Sequence, residues 1–166
     1  MKRIEIFGEN DSGEWTDSRT GCRAVILKNG KILLSCESKT GIRTLPGGGL
    51  EGDESAEDCC IREIAEETGV LVRPTDCFLE IDEYYGDRKW ISFYFLCEIV
   101  GETSMRLTAA EQARGMEPKW VDLKEAEAVF AAYSSYAGTD EDRRGMYLRE
   151  HTALLALEEL MRKDSQ

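Results

Sequence analysis

Histidine is almost missing from this chain: His151 is the only one among 166 residues. Zinc sites draw heavily on imidazole and on closely spaced thiols. The six cysteines (22, 36, 59, 60, 77 and 97) form no C-x-x-C pair, so a zinc centre is not expected. Positive charge is also scarce. Lysine and arginine total 21 against 33 acidic residues, a net charge of −12. Such a chain does not track along a nucleic acid polymer or adhere to an anionic membrane through general electrostatics. Long apolar runs are lacking too. None approaches the 18 residues of a spanning helix, and MKRIEIFGENDSGEW has no signal-peptide core. A cytoplasmic chain is expected, its thiols reduced and mostly buried in apolar patterns.

What is present suffices for one compact unit. Apolar residues make up 42% and charged residues 33%. With no repeat, low-complexity tract or linker-like shift, a single domain over residues 1–166 is the expectation. Residues 1–20 read as polar and irregular, with a turn at Asn10 to Gly13. GCRAVILK (21–28) and KILLSC (31–36) read as strands around Asn29-Gly30, the strongest short hairpin signal. A helix is predicted from about Ser55 to Thr68, with Ser55 as N-cap, Gly69 at the C-terminus and a packing stripe of Ala56, Cys59, Cys60 and Ile64. Residues 77–85 and 90–98 alternate as a second hairpin. Residues 102–117 read as a long polar loop, 119–121 as a short strand, and 123–132 and 142–162 as helices.

The chemistry concentrates in GGLEGDESAEDCCIREIAEETGV, residues 48–70. On a helix of 3.6 residues per turn, Glu63, Glu66 and Glu67 share a face. Like charges at this spacing repel, so the cluster points to a bound cation. Hard oxygen donors favour Mg²⁺, Mn²⁺ or Ca²⁺. Glu63 and Glu67 are the expected ligands, facing away from the core. Arg62 has the fork geometry to hold carboxylates and fix their rotamers. Glu54 is expected to pair with Arg62 or brace the loop, with Glu51 similarly placed. The triplet Gly47-Gly48-Gly49 lets backbone approach an anion or metal closely.

Gly48, Glu54, Arg62-Glu63-Ile64, Glu66-Glu67 and Gly69-Val70 fill every defined position of the Nudix box, and the chain resembles the Nudix hydrolase family. The resemblance implies an α/β/α sandwich with a mixed β-sheet between helices. It implies a Mg²⁺-dependent pyrophosphohydrolase, with Mn²⁺ able to substitute, acting on a nucleotide or nucleoside diphosphate derivative. It also implies Glu66 as ligand, base or both, and the Gly47 carbonyl as a further ligand. Family members place the proton acceptor in the box or in a later loop, which brings in Glu111 and Glu117, with Glu98 a weaker candidate.

Substrate contacts are less legible. Gly48 and Gly49 would meet phosphate. Where many relatives carry an arginine at the end of the second strand, this chain has Ser35-Cys36-Glu37, which leaves two readings open: Arg43, Arg23 or Arg19 replaces that contact, or the substrate differs. Tyr84, Tyr85, Trp90, Tyr94 and Phe95 offer stacking faces, with at least half expected in the core. Tyr85 sits where the family's spacing is associated with dinucleoside polyphosphates. Damaged nucleoside triphosphates, ADP-sugars and dinucleoside polyphosphates all remain open as substrates. A non-catalytic nucleotide sensor on the same fold is the alternative. Arg143, Arg144, Arg149 and Arg162 on the last helix read as a solvated face, or as a homodimer surface.

Overall fold

The computed structural model describes residues 1–164. Eight strands and four α-helices follow one another as β1 (Lys2–Phe7), β2 (Asp17–Val25), β3 (Leu27–Lys28), β4 (Lys31–Glu37), β5 (Arg43–Thr44), α1 (Ala56–Thr68), β6 (Val70–Tyr85) and β7 (Arg88–Glu102). Then come α2 (Ala109–Arg114), β8 (Met116–Asp122), α3 (Leu123–Ala131) and α4 (Glu141–Asp164), with a 3-10 turn at Ala132–Tyr136 before α4. Two four-stranded sheets form, where one mixed sheet was expected. The first runs β1-β6-β7-β2, its centre antiparallel and its outer strands parallel to their neighbours. The second is antiparallel, with β4 between β8 on one edge and β3 and β5 on the other. The chain crosses between sheets at Ile26, the single residue separating β2 from β3.

Helices cover both faces, which makes an α/β/α sandwich with two apolar cores. One core packs α1 through Cys59, Cys60 and Ile64 against Cys22, Ala24, Leu33, Val72 and Phe95. The other packs Ala126 and Phe130 of α3 and Tyr147, Leu154 and Leu157 of α4 against Ile32, Leu34, Leu79, Ile81 and Tyr94. Alternation along β4 splits its side chains between them: Ile32, Leu34 and Cys36 go one way, Leu33 and Ser35 the other. Each fully buried side chain of this size stabilises the fold by about 1.5–3 kcal/mol.

The first hairpin turns as expected on Asn29, a non-glycine residue at φ +52°. Ser55 caps α1 by accepting from the Asp58 amide, and Gly69 ends the helix in the left-handed conformation. The second hairpin is longer than the alternating segments implied, because β6 and β7 stay paired from Val70–Glu102 to Tyr85–Arg88 through three register shifts.

Two segments depart from the sequence reading. Residues 1–20 are irregular only over 8–16: Lys2–Phe7 pairs in parallel with Leu79–Tyr84, and β2 begins at Asp17. The alternation of Ile4 and Ile6 is the signal, but a single edge strand gains its order from the neighbour it pairs with. Residues 102–117 are not one loop. Thr108 accepts from the Glu111 amide while the Glu111 carboxylate accepts from the Thr108 amide, a full capping box that starts α2. All six cysteines are free, and every one except Cys77 is buried. Among the described residues no helix is long and apolar enough to cross a membrane.

Candidate active site

The glycine triplet and the acidic face of α1 meet at van der Waals distance. A Cβ added to Gly48 would lie 2.4 Å from the Glu63 carboxylate carbon and 2.5 Å from both its oxygens. At Gly47, φ is +148° and a Cβ would fall 2.1 Å from the Cys22 carbonyl oxygen. Only glycine lets the loop lie between β2 and α1. The Cys22 amide then donates to the Gly48 carbonyl at 2.9 Å.

Arg62 is the hub of the acidic face. Its Nε and Nη2 donate to the two oxygens of Glu54, and Nη2 also donates to the Gly49 carbonyl at 3.0 Å. Nη1 reaches Glu63 at 2.8 Å and Glu66 at 3.3 Å, with Glu51 at 3.7 Å. One guanidinium thus ties loop, helix start and two carboxylates together. Its hydrogen bonds hold the Glu54 carboxyl down at about 2. Burial pushes the Glu63 carboxyl up from its ordinary value.

Glu67 departs from expectation. It does not face away from the core but is 5% exposed. The Ser35 hydroxyl and the Gly47 amide both donate to its Oε2, at 3.0 and 3.1 Å. Loss of solvent raises its pKa to about 7, although Arg23, Gly47 and Ser35 each pull it down. The reason is geometric: Ser35 and Leu33 share the α1 side of β4, so the end of α1 closes over that strand.

The family model for the NUDIX domain matches residues 18–140. The chain belongs to the Nudix family. An RNA pyrophosphohydrolase from Bartonella clarridgeiae is 30% identical over 112 residues, 57% of this chain and 65% of that protein. A MutT-like protein from Streptomyces ambofaciens is 28% identical over 76% of this chain and 79% of its own length. Among solved structures, a NUDIX hydrolase from Nitrosomonas europaea superposes with a TM-score of 0.59 at 25% identity, covering 69% of this chain and 79% of that one.

The Nudix box of this chain and the glycine before it present four oxygen donors of the type a hard divalent cation prefers: Glu63, Glu66, Glu67 and the Gly47 carbonyl. The loop amide and the Ser35 hydroxyl occupy only one oxygen of Glu67, and Glu66 keeps 29% of its side chain exposed. The donors therefore suit a metal. Among the described residues no three acidic, cysteine or histidine side chains converge into a preassembled cage. Arg62 neutralises Glu63 and Glu66, and Arg23 Nη1 donates to the Gly47 carbonyl at 3.1 Å.

Beside the loop lies a cavity of about 470 Å³, lined by Gly48, Gly49, Arg19, Arg23, Arg149 and Trp90 among others. Strand register explains the grouping. Arg19 and Arg23 on β2 stand level with Trp90 and Tyr94 on β7, and Trp90 opposes Glu83 on β6, so all project from one sheet face. A neighbouring cavity of about 480 Å³ shares Trp90 and Arg149 and adds Tyr85 and Glu83. Tyr84, Tyr94 and Phe95 are buried, leaving Tyr85 and Trp90 as the cavity aromatics.

Other expected site residues lie elsewhere. Arg43 pairs with Glu125 at 3.0 Å and lines neither cavity. Its place on β5, across from Cys36, carries it to the second sheet. Glu117 pairs with Lys119 and Glu98 with Arg73, both exposed. Glu111 is the exception: it caps α2, yet, after burial, its charge helps raise the Glu63 carboxyl. Arg149 is not on a solvated face. It is 9% exposed and donates to Glu150 through Nε and Nη2. Ser35 and Arg149 were missed as site residues. Ser35 had a signal, being the one hydroxyl in an otherwise apolar strand. Arg149 had none, because its neighbours come from β6 and β7.

Proposed function

We propose that this Nudix protein hydrolyses a phosphoanhydride bond in a nucleoside diphosphate derivative, by attack of water on phosphorus with Mg²⁺ as cofactor and Mn²⁺ able to substitute. The observation that carries this reading is the contact of Glu63 and Glu67 with the glycine loop at the mouth of an arginine-lined cavity. Glu63, Glu66, Glu67 and the Gly47 carbonyl would hold the ion. Bound there, a divalent cation screens phosphate oxygens and acidifies water.

The chain's own residues do the rest. Arg19 and Arg23 bring positive charge to a cavity whose lining contains no carboxylate, in a protein of net charge −12. That local field recruits the diphosphate against the overall repulsion. Gly48 and Gly49 let the phosphates approach the backbone. Arg62, fixed by Glu54, sets the rotamers of Glu63 and Glu66. Glu66 takes the proton of the attacking water. Of Glu63, Glu66 and Glu67 it is the most exposed, while Glu111 accepts from the Thr108 amide and Glu117 pairs with Lys119. Trp90 offers a face for the organic group.

The test is a substrate panel with Mg²⁺, scored for phosphate and nucleoside monophosphate. It includes nucleoside triphosphates, ADP-ribose, dinucleoside polyphosphates and 5′-triphosphorylated RNA. Turnover of at least one small substrate, lost with EDTA and restored by Mg²⁺ or Mn²⁺, is expected. Glu67→Gln keeps an oxygen for Ser35 and Gly47, so it abolishes turnover while leaving the fold intact. A folded protein inert toward the whole panel overturns the hydrolase reading.

A further inference from the structure

The two cavities that share Trp90 and Arg149 differ in charge. The one beside the glycine loop is lined by three guanidiniums, Arg19, Arg23 and Arg149, and no carboxylate. The one beyond Trp90 is lined by three carboxylates, Glu83, Glu141 and Asp142, against two guanidiniums, Arg88 and Arg149. A third hollow next to it is lined by Glu9, Glu141 and Asp142 with Asn10, Tyr85 and Arg144, and Arg144 pairs with Glu141 at 2.6 Å, which leaves Glu9 and Asp142 as its excess charge. Arg149 stands on the dividing wall, but its charge is already claimed. It donates to the fully buried Glu150 at 2.8 and 3.2 Å and faces Glu83 at 3.5 Å.

Glu83 is the informative residue. It is 4% exposed, yet its contact with Arg149 is longer than a charge-assisted hydrogen bond. Arg149 is its cation, shared with Glu150. Glu83 lines the cavity together with Tyr85 and Trp90.

Building on the hydrolase reading, we propose that the Tyr85–Trp90 cavity takes the uncharged, donor-rich end of the substrate, ribose hydroxyls and a nucleobase N–H edge. Glu83, Glu141 and Asp142 reject an organic end that itself carries phosphate. The diphosphate then lies in the arginine cavity. The enzyme is selective for mononucleotides over 3′-phosphorylated nucleotides and over RNA, whose first residue bears a 3′-phosphodiester. Juxtaposed like charges are unfavourable; with Glu83 buried and Glu141 and Asp142 exposed, discrimination of about tenfold in kcat/KM is expected.

The experiment compares matched pairs: ATP and GTP against their 3′-phosphorylated counterparts, and ADP-ribose against its 2′-phosphorylated form. Binding of the same ligands is measured separately by calorimetry on metal-free protein. The phosphorylated member of each pair is expected to be the poorer substrate and the weaker ligand. Glu141→Gln with Asp142→Asn narrows both ratios, and Glu83→Gln narrows them independently. Glu127→Gln with Glu158→Gln, which removes equal charge at Lys124 far from the cavity, leaves the ratios at the wild-type value. Circular dichroism checks that each variant is folded. Equal handling of the pairs, or ratios that the rim variants do not move, overturns the inference and leaves the hydrolase reading standing. If no member is hydrolysed, the calorimetric ratios alone decide whether the cavity excludes phosphate.

Discussion

Gly48→Ala isolates the contact on which the catalytic geometry depends. The new methyl carbon would stand 2.4 Å from the Glu63 carboxylate carbon. Carbon atoms pack comfortably at about 3.5 Å, so the carboxylate must retreat by about 1 Å. It is the far end of a flexible side chain, and the fold absorbs the crowding at about 1–3 kcal/mol. Reactive geometry is less forgiving. A displacement of about 1 Å costs about 10²-fold in rate, or about 2.7 kcal/mol of barrier. Gly47→Ala is the contrast. There the methyl would press on the Cys22 carbonyl oxygen at 2.1 Å and on Arg23 Cα at 2.9 Å, backbone atoms that cannot swing aside, at a φ of +148° that disfavours any side chain. The expected pattern is a Gly48→Ala protein that melts about 2–12 °C lower with kcat/KM down by about two orders of magnitude, and a Gly47→Ala protein that loses more stability. Melting curves and steady-state kinetics on the best panel substrate read both. Undiminished kcat/KM in Gly48→Ala would refute the claim that Glu63 acts from beside the loop.

Ser35→Ala removes one of two donors to a buried carboxylate, and activity or Mn²⁺ affinity is expected to fall about 10–100-fold, measured by kinetics and metal titration. Arg149→Met leaves Glu83 and Glu150 buried without their cation and should cost about 3–5 kcal/mol, read from the urea midpoint. Metal-free protein should show Glu67 titrating near pH 7 by carboxyl NMR. Its folded pKa lies above the ordinary 4.5, so its contribution to stability is fully present below 4.5 and is lost as pH rises through about 7. A Glu67 titration at its ordinary value would contradict the burial of its carboxylate.

Much of this was legible in the residues, and particular elements show why. α1 could be delimited because its signals are local: Ser55 and Gly69 cap it, and Cys59, Cys60 and Ile64 recur at helical spacing. The Nudix box was legible for the same reason, since one helix and the loop before it fix all its positions. α2 was missed although Thr108 and Glu111 spell out a capping box, because six residues with no buried side chain leave no apolar period to find. β1 was missed because Ile4 and Ile6 are too few to identify a strand without its partner β6.

The sequence by itself determined the class of chemistry: a face of glutamates beside a run of glycines, arranged by the 3.6-residue turn of one helix. Only the tertiary structure decided which arginines stand over that face. Arg19 and Arg23 enter the cavity and Arg43 does not, because β2 pairs with β7 while β5 pairs with β4. Tertiary structure likewise buried Glu67 against Ser35 and drew Arg149 from the last helix between Glu83 and Glu150. Helical spacing acts over four residues and can be read along the chain. Strand register joins residues dozens of positions apart, and it exists only once the sheet has formed.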